Sequence, residues 1–147
     1  MSMSPYRHIV AAIDLTDDSR TVAARACELA QVAGGTVQLL HVVEFIPLAP
    51  MGDSLVPELQ IDQEIVDQAR QRIATLAMQL GLPPAVGTIE TGNAKSEILR
   101  YARAHDIDLI VIGCRERHGL SLLLHRTEAA VLHGAPCDVL AVRVREP

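Results

Sequence analysis

The residues with the clearest capacity for chemistry lie between Gly113 and Thr127, where Arg115, Arg117 and Arg126 outnumber Glu116. A guanidinium offers several N–H donors in a planar fork that can grip phosphate oxygens in pairs. This local excess of positive charge points to anion binding, although the same side chains would serve equally as solvated surface charges. Cys114 follows Gly113 and precedes Arg115, a place where a nearby cation would lower the thiol pKa and make it redox-responsive; the alternative is an inert buried thiol. His8, His41, His105, His118, His125 and His133 include no pair at the spacing of H-E-x-x-H, and no cysteine stands at metal-ligand spacing, so no metal site is expected. G-x-S-x-G does not occur, which removes the nucleophile elbow of a hydrolase. Asp62, Glu64 and Asp67 read as an acidic helix start favoured by the helix dipole.

The elements that must position these residues follow from hydrophobic pattern and breakers. His8 to Ile13 is an apolar run closed by Asp14, and Thr16 to Ser19 supply N-cap residues before Val22, Ala26 and Leu29 at helical spacing. Gly34-Gly35 ends that helix, and Thr36 to Val43 is a strand too continuously apolar for a sheet with one wet face. Glu44 to Glu58, with Pro47, Pro50, Gly52 and Pro57, reads as a long loop and a candidate lid. A helix from Asp62 to Gly81, a strand from Ala85 to Thr91, a turn at Gly92-Asn93, and a helix marked by Ile98, Leu99 and Ala102 that ends near His105-Asp106 follow. Leu109 to Ile112 is a buried strand ending at Gly113, Thr127 to His133 a helix that could begin at Ser121, and Val139 to Val144 the last strand. Strands alternating with helices imply an open, mostly parallel five-stranded α/β sheet with helices on both faces. Ligands of such sheets sit beyond the carboxyl ends of the strands where strand order reverses, so Asp14, Val42 and Gly113, read as strand ends, should meet at that crevice.

Composition bounds the partners. The 147 residues suit one domain, and with 49% hydrophobic but only 2% aromatic residues the core must be aliphatic. A formal charge of −5 argues against nucleic acid or an anionic membrane, which need a basic face. The odd count of cysteines, Cys27, Cys114 and Cys137, fits a reducing compartment. With no apolar signal region and no run of about eighteen apolar residues, a cytoplasmic location is expected.

At this level of detail the chain resembles the universal stress protein family over nearly its whole length. The resemblance is carried by His8-Ile-Val-Ala-Ala-Ile-Asp14, by Leu39-Leu-His-Val-Val43, by Gly92 with Ile98-Leu-Arg-Tyr-Ala102 and Asp108-Leu-Ile-Val-Ile-Gly113, and by His133-Gly-Ala-Pro-Cys-Asp-Val-Leu140. It implies a flavodoxin-like, adenine-nucleotide alpha-hydrolase-like sheet and a homodimer formed through the final strand, Val139 to Val144, whose unpaired edge gives a physical reason for such pairing. It places Asp14 and Val42 at positions that touch ribose or adenine in the family, with Ala12 and Ile13 on the same strand end. Asp14 would serve equally as a helix-capping or turn-forming carboxylate.

ATP-binding members of the family carry G-x-x-G, nine further residues, then Gly with Ser or Thr, so that backbone amides approach the phosphates closely. Here Gly113 and Thr127 match the outer positions, but Glu116 and Arg126 replace the second and third glycines. A carboxylate about 4 Å from a phosphate charge costs about 1 kcal/mol in water and about 4 at a protein-surface dielectric. A left-handed backbone at Arg126 would add roughly 1–2 kcal/mol. The resemblance therefore implies a stress-response protein that is not an enzyme, acts as a homodimeric binding module, and binds ATP weakly or not at all. The alternative is an ATP or AMP sensor with at most slow ATPase activity, using Arg115 and Arg126 with Thr127 in place of the glycine amides.

Overall fold

The computed structural model describes residues 6–44, 62–115 and 127–144. Its elements run β1 (His8–Ala12), α1 (Ser19–Ala33), β2 (Thr36–Glu44), α2 (Gln63–Gln79), a 3-10 turn (Pro84–Val86), β3 (Gly87–Gly92), α3 (Ala94–Ala104), β4 (Leu109–Arg115), α4 (Thr127–Gly134) and β5 (Asp138–Val144). The five strands form one sheet in the order β3-β2-β1-β4-β5, every neighbour parallel. This is the open α/β sheet expected from the alternating pattern. The proposed lid from Glu44 to Glu58 lies outside the described residues except for Glu44, as does a start of α4 at Ser121.

Handedness decides which helix covers which face. From β1 to β3 the chain steps one way across the sheet, so right-handed crossovers place α1 and α2 on the same face. The step from β3 to β4 reverses direction, which moves α3 and α4 to the other face. The two cores obey this rule. Ile9, Ala11, Leu39 and Val111 pack with Ala23, Ala26, Ile73 and Ala77 of α1 and α2. Their strand neighbours Val10, Leu40 and Ile110 pack with Ile98, Leu99, Tyr101 and Val131 of α3 and α4. Strands buried on both faces must be apolar at successive positions, which is why they read as unbroken runs in the sequence.

Two strand ends differ from the sequence reading. β4 does not stop at Gly113 but continues to Arg115, because β5 runs beside it and pairs Gly113 with Val142, Cys114 with Arg143 and Arg115 with Val144. β2 likewise extends one residue past Val43 to Glu44, where β3 pairs with it. Among the described residues no helix is long and apolar enough to cross a membrane.

The turn after α1 shows how tightly the sheet constrains the chain. Gly34 takes a left-handed φ of 69°, and the Gly35 N–H closes the helix on the Ala30 carbonyl at 2.9 Å, a Schellman-type ending. A Cβ on Gly35 would stand 2.5 Å from the Tyr6 carbonyl oxygen and 2.8 Å from that of Arg7. These are backbone atoms that cannot rotate away. Gly35→Ala is therefore expected to lower stability by about 1–3 kcal/mol, as overpacking does, read as an earlier urea midpoint; an unchanged midpoint would show that the β1 entry yields without cost.

Candidate functional site

Strand order reverses between β1 and β4, so the chain leaves those two strands in opposite directions and opens a crevice at their carboxyl ends. A cleft of about 1010 Å³ lies there. It brings together Ala12, Ile13 and Asp14 from the end of β1, Val42 from β2, Gly113 and Arg115 from β4, and Thr127 from the first turn of α4. Arg126, with Glu116 and Arg117, falls outside the described residues. Cys114, a free thiol of intermediate burial, also lines the cleft.

The loop after β1 is built around Asp14. Its Oδ1 accepts hydrogen bonds from the Thr16 N–H at 3.1 Å, the Thr16 hydroxyl at 2.7 Å and the Ser19 hydroxyl at 3.0 Å. These contacts form an Asx-type turn, through which Asp14 organises the entry to α1. Leu15 adopts a left-handed φ of 60°, which turns its side chain into the core at 7% exposure while Asp14 faces outward. The carbonyls on either side of Asp14 are both held. His41 Nδ1 donates to the Ile13 oxygen at 2.8 Å, and Arg72 of α2 donates to the Leu15 oxygen. Burial alone would raise the Asp14 pKa, but the bonds from Thr16 and Ser19 and the nearby Arg115 charge outweigh it and hold the carboxyl below its ordinary value.

Arg115 does not project freely toward a ligand. Its guanidinium lies 2.9 Å from the Asp18 carboxylate and 3.5 Å from that of Asp14, and it donates to the Thr16 hydroxyl. Asp18 is the N-cap residue of α1, yet its side chain makes no capping bond, so one of the residues read as a helix cap instead pairs across the sheet with β4. Gly113 helps to make this possible. A Cβ there would meet the Val22 side chain of α1 at 3.1 Å, so the glycine lets the start of α1 settle against the end of β4. Val42 is nearly buried in the core beneath α3, with Ala12. Among the described residues lining the cleft, the carboxylates Asp14, Asp18, Glu44 and Glu128 face only the guanidinium groups of Arg72 and Arg115.

Sequence reasoning passed over His41, Arg72 and Asp18 as site residues. His41 carried a signal, being polar inside an otherwise apolar strand. Arg72 and Asp18 carried none, because both sit where a helix ordinarily shows charge to solvent.

Comparison with known proteins agrees with the geometry. The family model described as "Universal stress protein family" matches residues 5–143. Universal stress protein A homolog 1 of Coxiella burnetii is 37% identical over 142 residues, covering 96% of this chain and 99% of that protein. The chain belongs to the universal stress protein family. Among solved structures, the universal stress protein UspA from Lactobacillus plantarum is 27% identical with a TM-score of 0.66, over 94% of this chain and 98% of that one. A universal stress protein in complex with cAMP shares the fold at TM-score 0.62 and 21% identity, over 94% of this chain and 97% of that one. The Archaeoglobus fulgidus protein in complex with dAMP shares it at 0.58 and 19%, over 92% and 97%.

Two groups at the site tie stability to pH. Burial chiefly lowers the His41 pKa, as the nearby Arg72 charge also does, against the opposing pull of the Ile13 carbonyl and Asp14. The unfolded chain then binds a proton at this histidine more readily than the folded one. Stability is complete above about pH 6.5, the unfolded value, and erodes as pH falls below it. Asp14 is depressed as well, so its contribution is complete above about pH 4 and lost as pH falls through the lower folded value. Urea midpoints at about pH 7.5, 5.5 and 3.5 are expected to fall in two stages, the upper absent in His41→Gln and the lower reduced in Asp14→Asn. Equal slopes in parent and variants would mean that both groups are solvated.

Proposed function

We propose that this protein is a non-enzymatic stress-response module that binds an adenine nucleotide of low charge in the switch-point cleft and holds ATP only weakly. The observation that carries this reading is the state of Arg115, a cation lining the cleft that is already paired with Asp18 and Asp14. The cleft is ready for an uncharged nucleoside body, with aliphatic walls from Ala12, Val42, Ile98 and Ile112. Among the described residues its carboxylates outnumber its guanidinium groups, a balance that opposes a polyphosphate. Each unit charge about 4 Å from a carboxylate is disfavoured by about 1–4 kcal/mol between water and a protein-surface dielectric, and ATP brings several. Glu116 and Arg126, in place of two motif glycines, act in the same direction. Structural neighbours solved with cAMP and dAMP support a ligand with a single phosphate.

In the same reading the protein works in the cytoplasm as a homodimer. Free Cys27, Cys114 and Cys137 are consistent with a reducing compartment. Among the described residues β5 is an edge of the sheet, and an edge strand is a template for pairing with a second copy of Val139 to Val144. Light scattering on the intact chain is expected to give twice the 15.9 kDa monomer mass; a monomer at micromolar concentration would remove the dimer from the account.

Calorimetry at physiological salt is expected to put the ATP Kd above about 10 μM, the value corresponding to about −7 kcal/mol, with cAMP or AMP bound more tightly than ATP. Thermal shifts should rank the ligands in the same order, since a ligand selective for the folded state raises its melting point. ATP binding below about 10 μM would overturn this reading in favour of an ATP sensor.

A further inference from the structure

Asp18 stands where an aspartate ordinarily caps a helix and does not do so. It is the N-cap of α1, a helix of 15 residues, with backbone angles of −79° and −12° and no side-chain capping bond. An N-cap aspartate usually accepts an N–H of the first turn. Two other helices of this fold keep it: Asp62 accepts from the Glu64 N–H at 3.0 Å and Asn93 from the Ser96 N–H at 3.0 Å. Asp18 instead turns its carboxylate 2.9 Å from the Arg115 guanidinium, which retains only 24% side-chain exposure. Asp14 cannot hold Arg115 as firmly, because its Oδ1 is committed to Thr16 and Ser19 and its Oδ2 is 3.5 Å away.

We infer that Asp18 is the specificity-determining residue of the cleft: by holding Arg115 it withholds the guanidinium from ligand phosphates and selects adenine nucleotides of few negative charges over ATP. This rests on the nucleotide reading above and names the residue that sets the ligand class. A phosphate that reaches Arg115 must displace a carboxylate from it and then share the cleft with the released charge. The penalty therefore grows with each phosphate the ligand carries and vanishes for adenosine.

Asp18→Asn tests the inference without disturbing the helix start, since asparagine caps as well as aspartate and has nearly the same volume. Calorimetry with adenosine, AMP and ATP on the parent and the variant is expected to show unchanged adenosine affinity, a rise of about threefold for AMP and a rise of about tenfold or more for ATP. Asp17→Asn is the control, because Asp17 is exposed, does not line the cleft and makes the same change in net charge. It should leave all three affinities in place. If Asp18→Asn melts below the parent, Asp18→Ser, another favoured cap without charge, carries the same comparison. Binding of adenosine and AMP with an unaltered ATP-to-adenosine ratio in the Asp18 variants, or an equal gain in Asp17→Asn, overturns the role of Asp18 while leaving the nucleotide reading intact. Failure of all three ligands to bind any of the proteins overturns both.

Discussion

The ion pair between Arg115 at the end of β4 and Asp18 at the start of α1 ties together the two elements that diverge where strand order reverses. The rest of the site depends on it. Gly113 leaves room for Val22 at the start of α1, where a Cβ would press on it at 3.1 Å, and Asp14 gathers Thr16 and Ser19 in the loop between β1 and α1. His41 and Arg72 then pin that loop from β2 and α2 through the carbonyls on either side of Asp14. Residues from β1, β2, β4, α1 and α2 thus hold one another in place. The consequence is electrostatic: a guanidinium that could receive an anion is kept as an internal counter-ion.

Much of the fold was legible because burial on both faces leaves a strong trace. Ile9 to Ala12 and Leu109 to Ile112 must be apolar at every position to sit between two helical layers, and their short length with flanking breakers marks them as strands. Gly34-Gly35 was legible for a similar reason, since a left-handed helix end and a backbone approach of 2.5 Å leave little choice of residue. The end of β4 was not legible. Gly113 looks like a stop when taken alone, and only the continuation of β5 to Val144 keeps the strand going to Arg115.

The gathering of the candidate residues was legible, but the charge distribution around them was not. Ala12, Ile13, Asp14, Val42, Gly113, Arg115 and Thr127 do share one cleft. What Arg115 does within it depends on partners 99 and 101 residues away, Thr16 and Asp14, and on Asp18, which looks locally like an ordinary cap. Counting charges along a loop treats each arginine as available. Folding decides availability by asking which carboxylates arrive beside it, and a sequence pattern read in short windows holds no record of that.

A crystal structure of the parent protein grown with AMP tests most directly the proposal that the cleft takes the nucleoside part of its ligand while Arg115 stays paired with Asp18. The expected result is adenosine density against Ala12, Val42 and Gly113, with Arg115 still paired to Asp18. Density elsewhere on the molecule, or an Arg115 swung onto the phosphate with Asp18 released, would contradict it.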